Sequence, residues 1–550
     1  PGGPPPFYFS VDVRSGRRRS WGASIGRILH GQYQELHFIY EQPDGTIWFA
    51  GVNLLAVLRP GNEDFELVQS NAGGEFSLYY DIVRSLLEDR EHNIWLATDR
   101  GVYRFNPQMQ LFHSVSSRRP GKDRVFTPDV TDVLQTSDGD IVASTWGGGL
   151  FAYDSNFRPV DRWYVRQARQ LNEQGVWCIH QRPNGDLWRG HQHGSVYISH
   201  VASHTTEKVE LPVFRHSTIR QIAEDKAGNL WLGTQAGDLL KWDAGSNTFS
   251  LVLSLHNIIQ RLYADWKGNI WVCTLSDGLY HVAASNGSVI HHYTGDSARG
   301  RGLSAIGTGD ILQLSDSIYA VAAGSLDLLN VETGVVRPAE HGEGTPINGI
   351  SNIIRDRKGY LWITSSNGLH KLNMKNEIRS SFDEEDGLGA NAFSIASSCL
   401  LKDGRIVIGT VHDMIVFQPA AITGSSQPPP DVEITNIAVQ NRWISTDSLA
   451  RLNDLQLPYA DNSVHFVFST LTFQNRFGIS YKLENLDKDW TKGHTNEAVY
   501  NYLPPGKYVF RVKANNADDV YSPHVREITI TIKNPFWRTW WFLCFLLLLG

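Results

Sequence analysis

The chain has 550 residues and a formal net charge of −7, from 50 Lys plus Arg against 57 Asp plus Glu. That length exceeds one ordinary hydrophobic core and calls for several domains. With no basic stripe, nucleic acid is not indicated as a partner. The four Cys show neither CxxC nor Cys/His zinc spacing, and three of them fall in separate predicted strands, which argues against thiolate metal sites and disulfides.

The first element, FYFSVDVRSGRRRSWG (7–22), resembles the closing half of a unit that recurs further on, so the chain reads as beginning inside such a unit. The unit itself is Asp-x-x-Gly-x-(Ile/Leu)-Trp followed by a second Gly and an apolar residue. It is clearest at Asp89–Phe105, Asp225–Trp242, Asp265–His281 and Asp356–Leu372, with weaker copies around Trp48, Val142, Trp188, Tyr319 and Val407. Self-similarity at a period of roughly 40–50 residues marks a repeat architecture, and four-stranded propeller blades occupy that range.

Each unit reads as strands. Ile219–Asp225 alternates apolar and polar residues, the period of a half-buried strand. Asp then bonds its own backbone in a turn and Gly supplies the positive φ. Asn-Leu-Trp-Leu-Gly-Thr is a short apolar run buried on both faces, and two further strands close the unit. Four antiparallel strands, repeated with no helical period between them, predict blades around an axis, which leaves only short protected edges. The repeated Trp is expected to pack blade against blade, and the repeated Asp to form turns.

No catalytic signature is present, and no cofactor or metal site is expected. Positions that break the repeat rule are the better guide to function. Trp146 follows its strand where other copies carry small or polar residues; Arg189 replaces an apolar residue; His191 and His193 replace Thr or small residues. Trp163, Tyr164 and Trp177 lie in the same two repeats. Aromatic faces beside Arg and His suit a sugar or an anionic glycan through stacking and hydrogen bonding, so these seven residues are the candidate ligand site.

The repeats stop after Phe417. A Pro/Ser-rich linker (421–430) leads into strands at sandwich-like spacing over 431–533, of a size that suits an immunoglobulin-like domain. The last stretch, 534–550, becomes almost wholly apolar from Trp540. Trp537, Trp540 and Trp541 beside Arg538 fit an interfacial aromatic belt, so this stretch is expected to begin a transmembrane helix, and both ends read as those of a fragment.

The repeats resemble the two-component regulator propeller repeat, and the second module resembles the Tyr-rich sandwich that follows it in such sensors. The residues that carry the likeness are Tyr481–Trp490, Tyr500–Ala514 and Asn534–Trp541. The resemblance implies the periplasmic sensor region of a bacterial hybrid two-component system, anchored in the inner membrane, in which two seven-bladed propellers precede the sandwich. Residues 1–106 are then the last blades of a first propeller and 107–420 a complete second one. An oligosaccharide ligand, a homodimer and a histidine kinase beyond residue 550 are implied partners and output. Asn534, Pro535, Phe536, Trp537, Trp540 and Trp541 are expected to pass the signal to the membrane span. A glycan lyase on a propeller, or the same ectodomain with a cyclase or DNA-binding output, is the alternative.

Overall fold

The computed structural model describes residues 9–11, 13–20, 35–62, 65–68, 78–107, 111–116, 128–295, 302–339, 347–374, 378–383, 386–389, 391–422, 429–444, 453–473, 478–493, 496–515 and 521–538, with 542, 544 and 547. The chain forms two compact units, one of residues 1–111 with 385–387 and one of the remainder. The first holds a short hairpin (Phe9–Val11 with Arg18–Ser20), a four-stranded sheet from Glu35 to Leu67 and a three-stranded sheet from Val83 to Phe105. Trp48, Leu55, Val57, Tyr80, Val83, Ile94 and Leu96 share one core cluster in that unit.

The repeated phrase folds as one hydrogen-bonded piece. Asp225 Oδ1 accepts the backbone N–H of Ala227 and of Asn229, each at 2.9 Å, while Oδ2 accepts the Trp231 indole N–H at 2.9 Å. Gly228 takes the left-handed turn position at φ +82°. Asp89 with Trp95, Asp265 with Trp271 and Asp356 with Trp362 repeat this arrangement at 2.8, 3.2 and 3.0 Å. Trp231, Trp271 and Trp362 are fully buried, so the carboxylate satisfies an indole N–H that burial would otherwise orphan. Turn and packing residue, separable by pattern, are thus a single device. Asp225→Ala is expected to cost about 2–4 kcal/mol, read by urea unfolding, because it orphans buried donors at Trp231 and the turn.

The second unit contains a closed ring of seven sheets. In chain order the blades begin with the strands Asp129–Gln135, Val176–Gln181, Ile219–Glu224, Ile259–Ala264, Asp310–Gln313, Asn352–Arg355 and Phe393–Leu400. These first strands lie innermost, each beside the next, and the last returns to the first. Gln side chains at the ends of several of them latch neighbouring blades: Gln181 Oε1 accepts Ser137 N–H, and Gln135 Oε1 accepts Lys402 N–H, each at 2.7 Å. The seventh blade takes its fourth strand from far upstream. Phe112–Ser116 pairs antiparallel with Asp413–Phe417 and closes the ring.

The first blade departs from the four-strand expectation. Its sheet has three strands, and the helix Trp163–Gln170 lies against both Gly149–Tyr153 and the outer strand of the second blade, Thr205–Val209. The reason is local. Arg-Gln-Ala-Arg-Gln is built of good helix formers, and Val165 and Ala168 fall on one face, both buried.

The sandwich follows. One sheet orders Arg442–Trp443, Glu433–Val439, Val464–Ser469 and Glu497–Tyr500; the other orders Asp454–Leu457, Arg526–Ile532, Gly506–Asn515, Gly478–Glu484 and Thr491–Gly493. Phe466 and Phe510 stack between them with centroids 4.0 Å apart. Of the tyrosine signature, Tyr500 donates to Asp487 Oδ2 at 2.8 Å and Tyr508 to the Pro504 carbonyl at 2.9 Å, whereas Tyr502 is 83 % exposed. The last strand, Arg526–Ile532, runs parallel to Asp454–Leu457, and Lys533 N–H bonds the Leu457 carbonyl at 2.9 Å. Among the described residues no helix is long and apolar enough to cross a membrane. The expected start of a span at 534–550 falls largely outside the described residues.

Candidate functional site

Antiparallel blades put two sets of connections on two faces of the ring. The Asp-x-x-Gly turns lie on one. The turns between second and third strands lie on the other, with the entries to the first strands. The seven candidate ligand residues separate accordingly into three places rather than one.

Trp146, Trp177 and His193 belong to the second face. Trp146 ends the second strand of the first blade and bridges Gly175, two residues before Trp177; it is 48 % exposed. His193 sits in the turn after the second strand of the second blade, at φ +62°. Trp163 and Tyr164 belong to the helix at the edge of the first blade. Trp163 stacks on His204 at 4.9 Å, and the Tyr164 hydroxyl reaches Asp140 at 3.4 Å, on the opposite side of the ring from Trp146.

Arg189 and His191 are interior. Arg189 is fully buried and forks onto Glu173, Nε to Oε2 at 2.9 Å and Nη2 to Oε1 at 3.0 Å, while Nη1 donates to Ser199 Oγ at 2.7 Å. His191 Nε2 lies 3.0 Å from Glu173 Oε2. Ser199 passes on through Thr206 to Gln167 of the helix, at 2.8 and 2.6 Å. Burial pushes the Glu173 carboxyl up, but the His191 bond and the Arg189 charge outweigh it and hold it below the usual range. Burial holds His191 below its ordinary value, against the raising effect of the Glu173 bond. The apolar-to-Arg misfit at 189 therefore has an internal partner and joins the helix to the second blade, and neither side chain faces an open surface. Among the described residues no group of His, Cys, Asp and Glu could hold a metal ion.

The feature missed in the sequence is a repeated β-bulge at the head of the innermost strands. Pairing slips between Val130 and Asp132, Val176 and Cys178, Ile219 and Gln221, and Ile259 and Arg261. The extra residues are Thr131, Trp177, Arg220 and Gln260. A bulge re-aims its side chain. The available signal was variation: this position holds Thr, Trp, Arg and Gln while the residue before it stays Val or Ile. The Arg220 guanidinium lies 4.5 Å over the Trp177 ring, and Nη1 donates to Gln235 Oε1 at 2.7 Å.

Just below the bulges lies a polar axial layer. Arg261 pairs with Asp310 at 3.3 Å, and its Nη1 donates to Gln221 Oε1 and to the Ala396 carbonyl of the seventh blade, each at 3.4 Å. Asp132 accepts the Ile179 N–H at 2.9 Å, tying the first blade to the second. Burial pushes the Asp132 carboxyl up to about 6 from 3.8, against the lowering effects of the Ile179 N–H, Arg261 and His180. Between those values the folded chain holds a proton that the unfolded chain has released. The stabilisation is present below 3.8 and is lost as pH rises through about 6. Asp132→Asn is expected to remove that loss, so that in urea unfolding the variant gains on the parent between about pH 4.5 and 7.

A closed ring of seven blades followed by a β-sandwich defines a propeller–sandwich architecture. The comparisons with known proteins agree with it. The two component regulator propeller repeat matches residues 214–236, and the Y_Y_Y domain matches 472–533. The chain is 22 % identical over 446 residues to Histidine kinase P4 of Formosa agariphila, covering 76 % of this chain and 32 % of that protein. It thus spans about a third of the length of that curated relative. The extracellular domain of BT3049 from B. thetaiotaomicron, described as a hybrid two component system, superposes with a TM-score of 0.71 at 20 % identity, covering 96 % of this chain and 70 % of that one. The chain therefore carries the two module types that its repeats and its tyrosine pattern pointed to, in the same order.

Proposed function

We propose that the chain is the extracytoplasmic ligand-sensing region of a membrane-bound two-component receptor, with oligosaccharides as its ligands and a histidine kinase as its output. The observation that carries this reading is the order of modules: a closed seven-bladed ring, then the Tyr-rich sandwich, each matched to its own repeat or domain family. A bacterial periplasmic location, inner-membrane anchoring and a homodimer complete the proposal. A ligand acts only through its differential affinity for two arrangements of a receptor. Ligand held at the ring would bias how paired sandwiches meet, and the exit from the last strand would pass that bias on. That exit is compact: Phe536–Arg538 form a single turn after Asn534 and Pro535, and Trp537 packs edge-on to Tyr459 at 5.5 Å. Trp540 and Trp541 of the proposed relay lie outside the described residues.

The test is a thermal-shift screen against a panel of oligosaccharides, since a ligand that binds the native state raises the melting temperature by mass action. A shift with one glycan class, with the glycan recovered unchanged, is expected. Cleavage of the glycan would move the chain to the lyase reading, and no shift with any glycan would remove the oligosaccharide assignment.

A further inference from the structure

We propose that the rim of the ring at its first four blades binds an anionic sugar unit, Arg220 holding the carboxylate or sulfate and Trp146 offering a face to the sugar's apolar side. The proposal rests on the sensor reading above and names the ligand chemistry and its residues.

The observation that leads to it is a cation without a counter-charge. Arg189, Arg162 and Arg261 each face a carboxylate, from Glu173, Asp140 and Asp310. Arg220 faces none. Among the described residues its hydrogen bond is to an amide oxygen, Gln235 Oε1, and its plane lies over an indole. Burial pulls its pKa down. Taking a guanidinium out of water without an anion is costly, and its planar fork is matched by a carboxylate or a sulfate. Four of its five N–H donors are left for such a group.

Independent observations place a ligand at the same rim. Trp177 Nε1, beneath that guanidinium, is buried with no partner, and so is Gln260 Oε1 at the next bulge, where the residue is 7 % exposed. Three consecutive bulges thus present a donor, a cation and an acceptor whose valences the protein leaves open. Trp146 joins them through its bridge to Gly175, with about half its surface in solvent. An exposed aromatic face and a fork-shaped cation on one rim are the combination that recognises a pyranose bearing a negative charge, by stacking on its C–H side and pairing with its acid group.

The chain is titrated with a tetramer of galacturonic acid, the same tetramer after carboxyl reduction, and the reduced tetramer after sulfation, followed by calorimetry and Trp fluorescence. Binding of an acidic tetramer at least about tenfold tighter than the reduced one is expected, the worth of one charge-assisted bond. The uronate and sulfate arms tell which anion is preferred. Arg220→Gln should lose that preference while its melting temperature stays equal or rises, since a half-buried cation without a counter-charge has gone; Trp146→Ala should weaken both acidic and neutral ligands. Equal affinity for reduced and acidic tetramers, or an acidic preference that survives in Arg220→Gln, would overturn the proposal. If a neutral glycan from the wider panel alone binds, this proposal falls and the sensor reading stands; if no glycan of any kind binds, this proposal and the oligosaccharide assignment both fall.

Discussion

Arg189→Met is expected to destabilise the ring by about 3–5 kcal/mol, the largest effect of any single side chain here. The substitution keeps the volume but leaves the Glu173 carboxylate in a fully buried place with His191 as its remaining hydrogen-bond partner. It also removes the donor to Ser199, and with it the chain of bonds through Thr206 to Gln167 that ties the helix to the second blade. Denaturant unfolding followed by circular dichroism reads the loss. The double variant Arg189→Met with Glu173→Gln should recover most of it, because the cost of breaking a buried pair is chiefly that of the stranded charge. A single variant as stable as the parent would show that Glu173 escapes to solvent or takes a proton at little cost.

The second large effect concerns ring closure. A chain that starts at residue 117 should be less stable than one that starts at residue 107 by at least about 3–5 kcal/mol, the cost of removing one buried phenylalanine. The ring is shut by Phe112–Ser116, which runs beside Asp413–Phe417 over five residue pairs. Phe112 is its anchor, 7 % exposed and edge-on to Phe382 at 5.6 Å and to Phe417 at 5.4 Å. Without the strand, Asp413–Phe417 becomes an open edge with unpaired backbone groups, and aggregation should accompany the lower stability. Equal melting of the two chains would mean that the ring holds without its closing strand.

Much of this architecture is legible in the sequence because a propeller repeats its chemistry. Asp225, Gly228 and Trp231 recur with fixed spacing, so turn, strand and packing residue can be read together, and the period counts the blades. What pattern cannot supply is the partner of an exception. Arg189 stands out as a misfit, but Glu173 lies 16 residues upstream, just beyond a helix that strand periodicity conceals. Repeat logic assigned a fourth strand to the first blade, and the helix-forming residues of Trp163–Gln170 overrode it. Misfit as a signal was informative but non-specific: it found Trp146 and Trp177 on the open rim, and with equal force Arg189 and His191 in the interior. Arg220 escaped notice because alternation alone makes a charged residue at that position unremarkable. Only the bulge, a property of pairing between strands, turns it beside Trp177.

Signalling from ring to membrane is the central claim, and hydrogen–deuterium exchange of the chain with and without the glycan of largest thermal shift tests it most directly. The account predicts slowed exchange at the rim, in the segments around Trp146, Trp177 and Arg220. It also predicts a change, at a distance, in Arg526–Ile532 and the turn at Phe536–Arg538. Protection confined to the rim, with the sandwich exit unaltered, would contradict transmission through the sandwich and leave a glycan-binding propeller without a relay.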